Sequence, residues 1–339
     1  MRIFSIDFCR LLAIVAVICI HTHPFMSVLF PDSAYRLPEY ILTQSSRFAV
    51  PFFFIAAGFF LGRKALADPE LRIRPTAYLR RLFMLLVAWS ILYVLVPADW
   101  PALFAEGYLP LVSRRIASLL DSPFVLLFEG ARVHLWFLPA LMIAVCLLAL
   151  LTPGGRVGPL LAVASLLFAI GLLAGSYSVT PLGIPLPFTT RDGPFLSTIC
   201  LAIGYLLARR RTAVSPAAAF SIMTGGLLLH IFESWTLYRF WGVSMLSHEY
   251  LFGTVVCAAG LLLFALAVPN LGRRWDMHLP GQYTLGVYLS HLMALDLVGP
   301  FRLYCELHIW QFLFPLLVFL LSAGLTHLLA RSRLQFLVT

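Results

Sequence analysis

The chain has 339 residues, 61% hydrophobic and only 12% charged, with a mean hydropathy of +0.92. Soluble domains carry about 45–50% apolar and about 25% charged residues, so an ordinary soluble fold is excluded. Of the charged residues 24 are basic and 15 acidic, and 23 of the 24 are Arg; in a polytopic membrane protein such an excess reports loop topology, not nucleic acid. A spanning helix needs about 20 mostly apolar residues. Ten segments qualify or nearly so: 8–30, 46–62, 79–97, 133–151, 158–175, 194–208, 215–233, 250–268, 282–299 and 310–330. They predict an all-α polytopic membrane protein with about ten transmembrane helices, forming one integral-membrane domain over 1–339.

The first segment has too long an apolar run for a signal peptide, ends in His21-Thr22-His23-Pro24 and is followed by no small-x-small cleavage site, so a retained helix is expected. Ionisable residues in hydrocarbon are costly and point to function, and this helix holds Asp7, Arg10 and His21. From Arg10 to His21 is eleven steps, about 20° beyond three full turns and about 16 Å along the axis, so the two share a face; Asp7 sits one turn before Arg10 and can pair with it. Arg63 and Lys64 follow the second segment, and Arg80 and Arg81 open the third. The long stretch 98–132 includes 109–120, readable as an interfacial amphipathic helix with Arg114 and Arg115 on its wet side. His134 and Trp136 open the fourth segment, either as an interfacial belt or as part of an acceptor mouth. His230 and Glu233, one turn apart, suggest a local pair in the seventh, and Tyr288, His291 and Asp296 lie in the ninth. Six scattered Cys form no C-x-x-C pair and read as small apolar residues. His21-x-His23 lacks further ligands at metal spacing, so no metal site is expected.

With the N-terminus in the cytoplasm, 16 of the 24 basic residues fall on inner segments and ten of the 15 acids on outer ones. The positive-inside rule therefore places both termini in the cytoplasm. No appended soluble domain is expected at either end. The Asp7–Arg10–His21 face has two readings: an interfacial anchor pair plus a helix-bonding His, or a site for a long ligand whose anionic group meets Arg10 and whose reactive end meets His21.

The opening Ser5-Ile6-Asp7-Phe8-Cys9-Arg10-Leu11-Leu12-Ala13, followed by Val17 and His21, resembles the integral-membrane acyltransferase 3 family, which O-acylates bacterial surface sugars. Three further stretches resemble its signatures in the family's order: Phe52-Phe53-Phe54-Ile55-Ala56-Ala57-Gly58-Phe59, His134-Leu135-Trp136-Phe137-Leu138 and Leu285-Gly286-Val287-Tyr288-Leu289-Ser290-His291. Ala57 stands where the family usually has Ser; Arg80 and Arg81 are adjacent where it commonly has Arg-x-x-Arg, with Met84 in the place of a following Arg.

The resemblance implies a multi-pass bacterial inner-membrane acyltransferase. It implies acetyl-CoA or another short acyl-CoA as donor substrate, no permanently bound cofactor, and a polysaccharide or lipid-linked sugar as acceptor. Partners are then acyl-CoA, the glycan and membrane lipid; a homo-oligomer is compatible with this, and nucleic acid is not expected. A hydroxyl needs a base to take its proton as it attacks the thioester carbonyl. His21 is the candidate, since burial among apolar helices disfavours the imidazolium. Glu129, Asp296 and Tyr288 are conceivable residues to orient it, with His134, Trp136 and His291 as further support. Arg10, Arg63, Lys64, Arg80 and Arg81 are candidates for the CoA phosphates, because Arg suits bidentate phosphate contacts. Cys19 keeps an acyl-Cys route open, but it points about 160° from His21 on the same helix. A transporter, flippase or membrane sensor is the competing reading.

Overall fold

The computed structural model describes residues 3–25, 36–68, 73–210, 214–275, 278–304 and 309–338. Arg2, Arg72, Arg211, Cys305 and residues 26–30 of the first predicted segment lie outside them. Apolar runs buried in lipid must satisfy their backbone N–H and C=O groups internally, and all regular structure among the described residues is helical. The order is α1 (Phe4–Thr22), α2 (Arg36–Ser46), α3 (Ala49–Leu66), α4 (Thr76–Leu95), α5 (Trp100–Glu106), α6 (Tyr108–Asp121), α7 (Pro123–Glu129), α8 (Phe137–Leu151), α9 (Gly158–Ala174), α10 (Pro194–Arg210), α11 (Pro216–Trp241), α12 (Phe252–Ala267), α13 (His278–Val298) and α14 (Trp310–Ala330).

Each of the ten predicted segments overlaps one of these helices. Among the described residues seven helical stretches are long and apolar enough to cross a membrane: Phe4–Thr22, Leu37–Leu66, Thr76–Leu95, Val133–Leu151, Pro216–Trp241, Tyr283–Phe301 and Trp310–Ala330. α9 and α12 are apolar but shorter, at 17 and 16 residues, and α10 has 17. Local chemistry sets the boundaries. α1 stops where His23 turns left-handed at φ 44°, and Pro24 follows. Pro lies in the first turn of α5, α7, α9 and α11, where its missing N–H is an orphan in any case.

The second predicted segment is α3, and a further helix, α2, absent from the ten predicted segments, runs into its start with a break between them. Pro51 has no N–H to offer the Arg47 carbonyl four residues back, and its ring crowds that carbonyl. The helix therefore breaks at Arg47 and Phe48: Arg47 N bonds Gln44 O at 3.2 Å, and the regular ladder resumes with Phe52 N on Phe48 O at 2.9 Å.

In the bundle α1 packs on α3 and α13, α3 on α10, α4 on α8 and α11 on α12. The α3–α10 contact depends on missing side chains. A Cβ added to Gly58 would lie 2.0 Å from the Leu201 carbonyl oxygen, and one added to Gly204 would lie 1.8 Å from that of Ile55. The two backbones touch directly, the small-residue mode by which helices associate where lipid is as apolar as Leu.

Candidate active site

Two cavities flank the middle of α1. The larger has a volume of about 970 Å³. At one end it is lined by residues from the start of α1, the end of α3 and the approach to and first turns of α4: Asp7, Arg10, Lys64, Arg74, Tyr78 and Arg81. Deeper in the bundle the lining turns apolar, with Phe53, Phe60, Phe137, Leu141 and Leu285, and reaches Tyr288. The predicted Asp7–Arg10 pair is present, with Arg10 Nη1 3.3 Å from Asp7 Oδ1. The half-buried Arg10 guanidinium lies 5.0 Å from the centre of the Phe60 ring, a cation–π contact that aims it along the cavity wall. Lys64 and Arg81 also line this wall, whereas Arg63 and Arg80 are exposed and line neither cavity. A basic mouth leading into an apolar shaft suits a ligand with phosphates at one end and a slender arm.

The second cavity, of about 70 Å³, holds His21 together with Arg47, Trp136, Arg191, Glu249 and Tyr288. His21 comes three turns after Arg10 on α1, so the face they share is divided between the two cavities. Neither His21 nitrogen has a hydrogen-bond partner among the described residues, which leaves the imidazole open to a ligand. Its ring tilts against that of His291, with centroids 5.1 Å apart, and His291 meets His134 edge-on at 5.0 Å. Backbone carbonyls fix both inner imidazoles. His291 Nδ1–H donates to Tyr288 O at 2.5 Å and His134 Nε2–H to Leu289 O at 3.1 Å. The Tyr288 hydroxyl donates to the His134 carbonyl at 2.5 Å, and Tyr93 donates to Leu289 O at 2.8 Å.

His134 and Trp136 are 1% and 7% exposed, which removes the interfacial-belt reading of the pair. They sit on the 3-10 turn Val133–Trp136 that leads into α8, and this turn brings them inward. Of the three residues considered for orienting His21, Tyr288 alone shares its cavity. Asp296 is taken by an ion pair with Arg132. Glu129 lies against Asp192 near Arg191 and Glu249; burial, then the Asp192 carboxylate, pushes its carboxyl up to about 7. Burial also raises the Glu249 carboxyl, against the pull of Arg191 and Arg47. Cys19 lines neither cavity.

Two local expectations are corrected. His230 does not pair with Glu233: it bonds Gln44 and Thr254, each at 2.8 Å, while Glu233 accepts from Tyr177 and from the backbone at the start of α12. Arg115 is not on the wet side of α6, because it is half-buried and donates to the Tyr93 carbonyl at 2.7 Å; Arg114 stays exposed beside Glu106. The residues that sequence reasoning missed are Arg47, Arg191 and Glu249. Arg191 bridges Asp192 at 2.7 Å and Glu249 at 2.5 Å, with its guanidinium 5.2 Å from the Trp136 ring centre. Their signal was available: Arg47 and Arg191 are two of the eight basic residues on the side that the positive-inside rule leaves poor in cations.

A model of the acyltransferase domain family, acyltransferase 3, matches residues 3–330. The chain belongs to that family. As an acyltransferase 3 domain it is also similar to two proteins whose names describe another activity. An amino-acid racemase of Enterococcus faecalis is 27% identical over 352 residues, covering all of this chain and 47% of the relative. A serine/alanine racemase of Enterococcus gallinarum is 28% identical over 306 residues, covering 85% of this chain and 40% of the relative. This acyltransferase 3 chain thus spans less than half the length of the curated relatives it matches. No solved structure matches it significantly.

Proposed function

We propose that the protein is a membrane O-acyltransferase that moves an acyl group, most simply acetyl, from cytoplasmic acyl-CoA to a hydroxyl of a surface or lipid-linked polysaccharide at the bacterial inner membrane. The observation that carries this reading is that Tyr288 lines both cavities. The basic shaft and the His21 chamber therefore meet at one side chain, and a donor entering past Arg10 ends next to the chamber where a base waits. CoA phosphates are held at the mouth by Arg10, Lys64 and Arg81, with the pantetheine arm along Phe53, Phe60 and Leu285. The acceptor hydroxyl comes from the opposite end of the bundle, beside Arg191 and Glu249. His21 takes its proton as the oxygen attacks the thioester carbonyl, and the thiolate leaves with that proton. Direct transfer fits this layout, since no Cys or Ser is among the described residues that line the two cavities.

The racemase names of the relatives are not carried to this chain, which covers under half of them. A transporter reading differs in chemistry, because it breaks no thioester. The deciding experiment follows thiol release and product mass with purified protein, acetyl-CoA and the membrane glycan of the source cell, alongside mass spectrometry of surface glycan from cells with and without the protein. The expected result is an acyl-sized mass gain that needs the wild-type chain, and a His21→Gln variant slower by about 10²–10⁴-fold. Unchanged acylation by His21→Gln would remove His21 as the base.

A further inference from the structure

The mechanism above leaves one group in the His21 chamber without a task. Arg47 lines the chamber, and its Nε is buried with no hydrogen-bond partner. Among the described residues no carboxylate lies within ion-pair distance of it; the only hydrogen bond its guanidinium makes is from Nη2 to the Leu246 carbonyl, at 3.2 Å. The other guanidinium of the chamber is different, being bound to both Asp192 and Glu249. A half-buried cation whose opposite charge, Glu249, acts on it only from beyond ion-pair distance is costly, and its natural complement is an anion that arrives with the chemistry. Pro51 explains the placement. By breaking the helix at Arg47 and Phe48 it sets Arg47 at the joint between α2 and α3, and Pro51 itself forms part of the same chamber wall.

Resting on the acyl-transfer reading, we infer that Arg47 is a catalytic residue that stabilises the oxyanion of the tetrahedral intermediate. When the acceptor oxygen forms its bond to the carbonyl carbon, the carbonyl π pair moves to oxygen and the hydroxyl proton moves to His21. Collapse restores the carbonyl, breaks the carbon–sulfur bond and returns the proton to the departing thiolate. For the interval between, one oxygen carries a full negative charge. Donors fixed in advance around that oxygen act most strongly where water is excluded. The chamber has room for only a few water-sized groups. A carbonyl within reach of the His21 nitrogens is therefore within reach of Arg47 as well, while a carboxylate or phosphate of the acceptor would fill the space that the reacting carbonyl needs.

The test measures steady-state kinetics of the full chain in nanodiscs, with acetyl-CoA as donor and the source cell's lipid-linked glycan fraction as acceptor. Arg47→Gln should lower kcat by about 10²–10³-fold, with KM for either substrate within about threefold, and Arg47→Lys should retain part of kcat. Added guanidinium should restore turnover to Arg47→Ala without restoring it to His21→Gln, a rescue that a structural defect would not give and that serves if Arg47→Gln folds poorly. A kcat within threefold of wild type, or a loss confined to acceptor KM, would overturn the assignment. Normal turnover by His21→Gln in the same assay would instead strike the underlying reading, and the Arg47 result would stand apart from it.

Discussion

Among the five cations that the sequence nominated for a phosphate-bearing donor, side-chain direction makes the selection. Arg10, Lys64 and Arg81 face the large cavity; Arg63, next to Lys64, and Arg80, next to Arg81, do not. Neighbouring residues on a helix point about 100° apart, so a basic doublet offers one member to a cavity and the other elsewhere, and only packing decides which. A charged hydrogen bond contributes about 1.5–3 kcal/mol. Arg10→Ala and Arg81→Ala are therefore each expected to weaken acetyl-CoA binding by tenfold or more, by calorimetry in nanodiscs, while Arg63→Ala and Arg80→Ala stay within twofold. Equal losses at all four would mean that general surface charge draws the donor in. The same scale explains what the sequence concealed at the other end. His21 was legible because an imidazole within an apolar run stands out, whereas Arg47, Arg191 and Glu249 come from separate loops and meet only in the folded bundle.

At the scale of elements, the ten apolar runs were readable because hydrocarbon leaves a backbone little choice but helix. The helix before the second run was less so: α2 ends in the polar stretch Thr43-Gln44-Ser45-Ser46, which does not read as a span, and Pro51 marks the joint that delivers Arg47 to the chamber. Contacts between helices left a fainter trace still, since Gly58 and Gly204 are ordinary glycines until their backbones are seen to touch. That contact fixes α3, which carries Lys64 and the apolar wall of the donor shaft, against α10. Gly204→Leu would force the helices apart and is expected to destabilise the protein by about 1–3 kcal/mol or more, read as a lower midpoint in a thermal melt followed by size-exclusion. Gly225→Leu, where an added Cβ meets nothing within 4 Å, should leave the midpoint near that of wild type. Similar melting of the two variants would mean that the α3–α10 contact carries no special weight.

For the whole molecule, the direction of transfer depends on which end of the bundle faces the cytoplasm. The basic mouth of the large cavity collects the ends of α1, α3 and α4 that carry the Arg cluster predicted to be cytoplasmic, and the His21 chamber lies toward the opposite end. Three helices are short for a crossing: α9 and α10 with 17 residues and α12 with 16 rise about 24–26 Å, against a hydrocarbon core of about 30 Å. Mismatch costs only fractions of a kcal/mol per Å and is met by local thinning of the bilayer, so ten crossings are physically open to this chain. The count has a parity that can be measured. With the native cysteines replaced, single Cys substitutions at the exposed positions Arg80, Leu182, Ser244 and Ser332 sample the start of α4, the α9–α10 loop, the α11–α12 loop and the segment after α14. In intact spheroplasts a membrane-impermeant maleimide should label Leu182→Cys and Ser244→Cys, and should reach Arg80→Cys and Ser332→Cys only after permeabilisation. Labelling of Ser332→Cys from outside, with Arg80→Cys still protected, would make the number of crossings between them odd instead of eight. α9, α10 or α12 would then lie along the membrane instead of through it. Labelling of Arg80→Cys from outside would invert the bundle and place the basic shaft away from cytoplasmic acyl-CoA.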